Sequence, residues 1–395
     1  MAKKMKLGGA YAVIGGLFGD EGKGLVTDFI CGKADKPLVV RFSGGQQAGH
    51  TVYSEQGAHV FSNFGSGTLR GAPTYWSKFC TFDPVGVANE MRKLESMGVQ
   101  PVLYVDAACP ITTPYDKEHN RLTEYRNSHG TCGVGVGSTI DREENHYSLR
   151  VGDFASMFVF ESKLSQVQEY YGPILAKLRK RGSGNPYKDK TNLPEFFDAV
   201  KFVIECGRVI PVRSMHDALV MSECRTLVFE GSQGLMLDPK IGIFPHVTRI
   251  PTNTGRVAQL CSGFTSFVVT RAYVTRHGNG PMPNEHLAHN IAPNELETNV
   301  YNEYQGSFMR GLLDLNTLKY AIDSDEHIRR SKQRVLVVTC MDHVENEYRF
   351  TLDGEIVSCD NGTDFLCRIS DYLGFDDVYF SCGPRAEDVH HFKCK

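Results

Sequence analysis

No pair of cysteines among the 12 in this chain is spaced C-x-x-C, so the commonest zinc-binding spacing is absent. Scattered thiols of this kind read as reduced, mostly buried side chains of a cytosolic, cytoplasmic enzyme. No apolar stretch approaches the roughly 20 residues that a membrane span requires. The basic start, Met1-Ala2-Lys3-Lys4-Met5-Lys6, is followed by an apolar run broken by glycines, which argues against a signal peptide. The formal net charge is only -3, which leaves no global attraction for nucleic acid or for a membrane surface. No Pro/Ser-rich linker, repeat or composition break divides the 395 residues. With 41% hydrophobic residues a large core is affordable. The expectation is one α/β body over residues 1–395 with helical and loop excursions, rather than the two or three domains that length alone suggests.

Apolar runs recur at Ala10–Ile14, Leu38–Val40, Val102–Val105, Thr226–Phe229, Phe267–Val269, Val335–Val338 and Val378–Phe380. Helical patterns lie between several of them, as at Pro84–Met97 and Glu161–Lys180. This alternation predicts an α/β fold with a large, mostly parallel central sheet and helices on both faces. The basic stretch Lys177–Lys190 and the charged connector Asp323–Gln333 read as solvated loops.

The chemistry starts where the first run ends. Gly19-Asp20-Glu21-Gly22-Lys23-Gly24 follows the strand and precedes a helical segment, Leu25–Ile30. A glycine-rich turn at a helix N-terminus presents free N–H groups to an anion, and Lys23 adds a point charge. Two carboxylates in such a turn repel a phosphate unless one holds Mg²⁺ or moves a proton; the bland alternative is a solvated turn. After the second strand comes Gly44-Gly45-Gln46-Gln47-Ala48-Gly49-His50-Thr51, another glycine-rich turn, ending in a histidine. Two turns at the carboxyl ends of strands can face one crevice.

Together these P-loop-like segments resemble the adenylosuccinate synthetase family, which carries a GDEGKG loop and an N-A-G-H-T loop at this spacing. Further matches follow in order: Ser66–Leu69, Gly130–Gly133, Leu149–Asp153, Phe229–Gly234, Phe244–Thr248, Thr275–Pro281 and Ser381–Pro384. The resemblance implies a ligase. It phosphorylates the O6 of a 6-oxopurine nucleotide with a nucleoside triphosphate and lets the amine of L-aspartate displace the phosphate. Asp20 matches the family's base and Mg²⁺ ligand; its bland reading is a helix N-cap. His50 matches the acid that serves the moving phosphoryl group; its bland reading is a packed turn histidine. The Gly49 carbonyl would complete the metal site. Gly19, Glu21, Gly22, Lys23, Gly24 and Thr51 would serve the triphosphate, with Asp342, Ser381 and Gly383 at its base. Gln47, Thr131, Cys132, Gln233 and Thr248 would hold the purine monophosphate. Family members are homodimers, and the partner subunit's position corresponding to His146 would complete that site, with Arg142 as a substitute donor.

Four departures bear on substrate. The family's arginine-rich aspartate loop is replaced by Tyr304–Asp314, which keeps only Arg310, so Gly306, Ser307 and Arg310 would hold aspartate. Gln47 replaces the usual Asn, His146 an Arg, and Cys340 a base-motif Lys. A related branch, the phage and archaeal-like 2-aminoadenylosuccinate synthetases, also has a remodelled loop. It converts dGMP with an adenine nucleotide as donor, although it often lacks the loop carboxylate present here as Asp20. The reading leans to that (d)GMP-using branch over IMP with GTP. A non-catalytic nucleotide-binding regulator would need neither Asp20 nor His50. A P-loop GTPase switch would carry the Ser or Thr of G-K-[ST], which is missing.

Overall fold

Strands buried on both faces need apolar side chains at every position, and the seven apolar runs all form strands. The computed structural model describes residues 8–55, 57–127, 131–180, 192–293, 297, 307–331 and 333–393. In chain order the strands begin with β1 (Gly9–Gly15), β2 (Pro37–Arg41), β3 (His50–Ser54), β4 (Gly57–Phe61), β5 (Thr74–Trp76), β6 (Leu103–Asp106), β7 (Val209–Val212) and β8 (Thr226–Gly234). They continue with β9 (Thr265–Arg271), β10 (Tyr273–His277), β11 (Phe308–Asp314), β12 (Arg334–Thr339), β13 (Tyr348–Leu352), β14 (Glu355–Cys359), β15 (Asp377–Ser381) and β16 (Val389–Phe392).

Ten strands make one sheet in the order β16-β15-β12-β9-β1-β8-β2-β5-β6-β7. Every neighbouring pair is parallel except β15 with β16 at the edge. Leu38 and Val40 pack on one face with Phe229, Val268, Leu336 and Val338. Val39 packs on the other with Val13, Val228, Val269 and Val337, under Val26, Phe29 and Ile30 of helix α1 (Lys23–Lys33). Each such buried aliphatic side chain contributes about 1.5–3 kcal/mol.

Helix α2 (Pro84–Ser96) starts as its sequence dictates: Pro84 opens it, and the Asp83 carboxylate accepts from Val85 N and Gly86 N at 3.3 and 3.2 Å. The helix at Glu161–Lys180 begins four residues earlier than its pattern suggests, at Met157. Two smaller sheets were not legible: β10-β11-β13-β14 and the β3–β4 hairpin. β3, β4, β13 and β14 are five residues each and partly exposed, and β10 and β11 carry Arg276 and Arg310 among their apolar residues, so no continuous apolar run marks them. In the main sheet β1 lies at the centre, with β9 on one side and β8 and β2 on the other. The loops after their carboxyl ends meet above it.

Candidate active site

A cavity of about 680 Å³ opens at this edge. Gly19, Asp20, Gly22, Lys23 and Gly24 line it from the loop after β1; Gln47, Gly49, His50 and Thr51 line it from the loop after β2. Thr131, Cys132, Gln233 and Thr248 complete the wall. Five separate segments of the sequence therefore converge on one space, as open α/β sheets arrange their ligand sites.

The first loop is held by its own second carboxylate. Glu21 is 2% exposed and accepts from Leu17 N at 2.9 Å, Gly19 N at 3.0 Å and Lys23 Nζ at 3.1 Å. Glu21 is not among the residues lining the cavity, and its side chain braces the turn. Thr339, at the end of β12, donates its hydroxyl to the Glu21 carbonyl at 2.7 Å. Asp20 adopts the left-handed conformation, φ 60°, which is uncommon for a residue with a side chain. Its carbonyl accepts from Arg271 Nε at 2.6 Å, and its side chain lines the cavity. Burial raises the Asp20 pKa above its usual 3.8, and Glu21 adds to this; Lys23, Arg271 and His277 oppose it. Such a carboxyl is a stronger base than an exposed one. It is also a carboxylate that a cation would stabilise. Among the described residues no three His, Cys, Asp or Glu side chains cluster as metal ligands. Asp20 and the Gly49 carbonyl nevertheless suit Mg²⁺, which takes oxygen ligands and needs few from protein.

His50 rests on a carboxylate that its own turn does not contain. Its Nδ1 lies 2.9 Å from Glu230 Oε1, and both side chains are buried. The parallel register sets Glu230 of β8 beside Arg41 of β2, with 3.8 Å between Arg41 Nη1 and Glu230 Oε2. Ser66 also donates its hydroxyl to Glu230. Burial alone would raise the Glu230 pKa, but His50, Arg41 and Ser66 outweigh it and hold the pKa at about 2. Burial pushes His50 below its ordinary 6.5, against the pull of Glu230. Arg41 is wholly buried, has no hydrogen-bond partner for its side-chain nitrogens, and lies over the Trp76 ring at 5.6 Å. Glu230 and Arg41 were missed as site residues. The available signal was a Glu directly after the apolar run Thr226–Phe229, where a strand core excludes a lone charge.

Other expected residues stand apart. Ser381 ends β15, and Asp342 and Gly383 lie just beyond the ends of the adjacent strands β12 and β15; all three are outside the cavity lining. Asp342 is exposed there, and Ser381 is buried. Arg310, on β11 opposite Thr275 of β10, donates from Nη1 to the Ala292 carbonyl at 2.9 Å and does not line the cavity. Ser307 is exposed, and Gly306 lies outside the described residues. His146 is exposed at the end of the helix Val136–Glu144. Arg142 cannot stand in for it. That guanidinium is wholly buried and bonded to Asp116 at 3.0 Å, Glu143 at 3.3 Å and the Ile111 carbonyl at 2.7 Å.

The model of one protein family, adenylosuccinate synthetase, matches residues 12–383. The chain belongs to the adenylosuccinate synthetase family. It is 27% identical over 359 residues to the Thermoplasma acidophilum adenylosuccinate synthetase, covering 87% of this chain and 79% of that one. It is 33% identical over 295 residues to the Chromohalobacter salexigens enzyme, covering 71% of this chain and 65% of that one. Among solved structures, the fully ligated adenylosuccinate synthetase of Plasmodium falciparum superposes with a TM-score of 0.75 at 18% identity, over 97% of this chain and 99% of that one. The cyanophage S-2L succinoaminodeoxyadenylate synthetase, bound to dGMP and dATP as an energy donor, gives 0.64 at 15% identity, over 98% and 95%. These two likenesses establish the fold. Family membership makes this chain a ligase of the adenylosuccinate synthetase type.

Proposed function

We propose that this ligase condenses L-aspartate with guanylate, preferably dGMP, using ATP or dATP, to give 2-amino-N6-succinyl-deoxyadenylate. The observation that carries the chemistry is the meeting of Asp20 and His50 in one cavity, on two phosphate-binding turns. Asp20 takes the proton from purine N1 as O6 attacks the terminal phosphorus of the triphosphate and the nucleoside diphosphate leaves with the bridging oxygen. His50, seated on Glu230, serves the phosphoryl group as it moves, and Lys23 and the loop N–H groups balance its charge. The aspartate amine then attacks C6, and orthophosphate leaves with the O6 atom. Mg²⁺ at Asp20 and Gly49 would neutralise phosphate charge.

The choice of guanylate rests on the aspartate stretch, which keeps one arginine, and the choice of an adenine donor on Cys340, which stands where the base motif of the triphosphate usually has Lys. A loop with few donors leaves few unpaired when the 2'-hydroxyl is missing. The cyanophage protein demonstrates that this fold can hold dGMP with dATP. The carboxylates of aspartate are assigned to Arg310, on β11 beside β10, and to the backbone at Ser307 and Gly306. IMP with GTP is the second reading, favoured by the retained Asp20. A panel of IMP, GMP and dGMP crossed with GTP, ATP and dATP tests the choice. Turnover of dGMP with ATP or dATP is expected to equal or exceed that of IMP with GTP. Exclusive use of IMP with GTP would overturn it.

A further inference from the structure

The cavity contains buried acceptors that the protein leaves unmatched. Nε2 of His277 and Oε1 of Gln233 have no hydrogen-bond partner, and both residues line the cavity. Such atoms cost stability unless a ligand satisfies them. His277 ends β10, its ring edge-on to Phe308 with centroids 6.0 Å apart. The strand is docked on the phosphate loop: Thr275 Oγ1 donates to the Gly19 carbonyl at 3.4 Å. His277 and Asp20 line the same cavity.

Sheet order fixes the sides. Asp20 follows the central strand β1. His50 rests on Glu230 of β8, to one side of β1. His277 ends β10, a strand of the second sheet that continues the chain from β9, and β9 lies on the other side of β1. In a 6-oxopurine, N1 stands between C6 and C2. With N1–H directed at Asp20 and O6 toward the His50 side, C2 faces the His277 side.

We propose that His277 is a specificity-determining residue that accepts a hydrogen bond at Nε2 from the 2-amino group of a guanine nucleotide. This rests on the reading of Asp20 and His50 given above. A neutral imidazole with its proton on Nδ1 offers Nε2 as an acceptor. Hypoxanthine has only hydrogen at C2 and leaves that acceptor bare. Guanine supplies N1–H for Asp20 and an amine for His277, so the donors of its edge match the acceptors of the wall.

The test compares dGMP with dIMP, holding sugar, aspartate and ATP fixed. The wild-type enzyme should favour dGMP in kcat/KM by roughly ten- to hundredfold, the range expected when a buried acceptor is left unpaired. His277→Val should bring the ratio near one, chiefly by lowering turnover of dGMP. His277→Gln, which retains an acceptor, should restore part of the preference. Equal use of dGMP and dIMP by the wild type would overturn the assignment, and that measurement needs no variant. An undiminished ratio in a folded His277→Val enzyme would overturn it too, and leave the ligase reading intact. Failure to convert either nucleotide would remove the ligase reading and this assignment with it.

Discussion

Replacing Glu230 with Gln removes the charge beneath His50 and strands Arg41. Arg41 is wholly buried, and Glu230 is the one carboxylate it meets among the described residues. Breaking a buried pair by removing one partner costs about 3–5 kcal/mol. The titration of Glu230 gives a similar size: its fall from 4.5 to about 2 corresponds to about 3 kcal/mol. The sign follows from the folded pKa being the lower one. The stabilisation is fully present above pH 4.5 and is lost as pH falls toward 2. Urea unfolding is readily followed here, because the single tryptophan, Trp76, is buried against Arg41. Glu230→Gln should unfold about 3–5 kcal/mol more easily at pH 7, and the gap should narrow below about pH 4.5. Adding Arg41→Met should recover part of the loss, since no unpaired charge then remains. Turnover should stay low in the double variant, on the order of 10²-fold below wild type, because His50 still lacks its seat. A Glu230→Gln enzyme within about 1 kcal/mol of wild type, with unchanged turnover, would refute this account of His50.

Three further outcomes are expected. Asp20→Ala should lose turnover by roughly 10²–10⁴-fold while nucleotide binding, followed by calorimetry, largely survives; near-normal turnover in a folded variant would remove Asp20 from the chemistry. Arg310→Ala should raise the KM for aspartate about tenfold or more and leave that for the nucleotide nearly unchanged; an unaltered aspartate KM would move the carboxylate anchor to one of the arginines lining the cavity, Arg249, Arg271 and Arg276. Sedimentation at assay concentrations should give a homodimer, with the His146 surface contributing across the interface; an active monomer would contradict this.

The centre of the fold was readable because strands covered on both faces cannot alternate with polar residues, so β1, β2, β8, β9 and β12 appear as unbroken apolar runs. Asp20 and His50 were readable because each sits in a turn whose glycines have few other uses. What escaped depends on contacts between distant segments or on short-range geometry. Glu230 meets His50 180 positions away in sequence. Arg142 looks like a free surface cation until Asp116 and the Ile111 carbonyl close around it. Glu21, in the middle of a phosphate motif, turns inward to backbone amides two and four residues behind it. Composition and periodicity carry none of this.

The position after Lys23 sets a limit on how this scaffold can change. A side chain at Gly24 would place its Cβ 2.9 Å from the Cβ of His50 and 3.1 Å from Ser66 Oγ. The hydroxyl residue that nucleotide switches carry after their loop lysine therefore cannot be acquired while the histidine turn remains where it is. One substitution therefore does not lead from this loop to a G-K-[ST] loop: the turn bearing His50 would first have to withdraw. Gly24 and the His50 turn are fixed as a pair, so a change at one requires a change at the other.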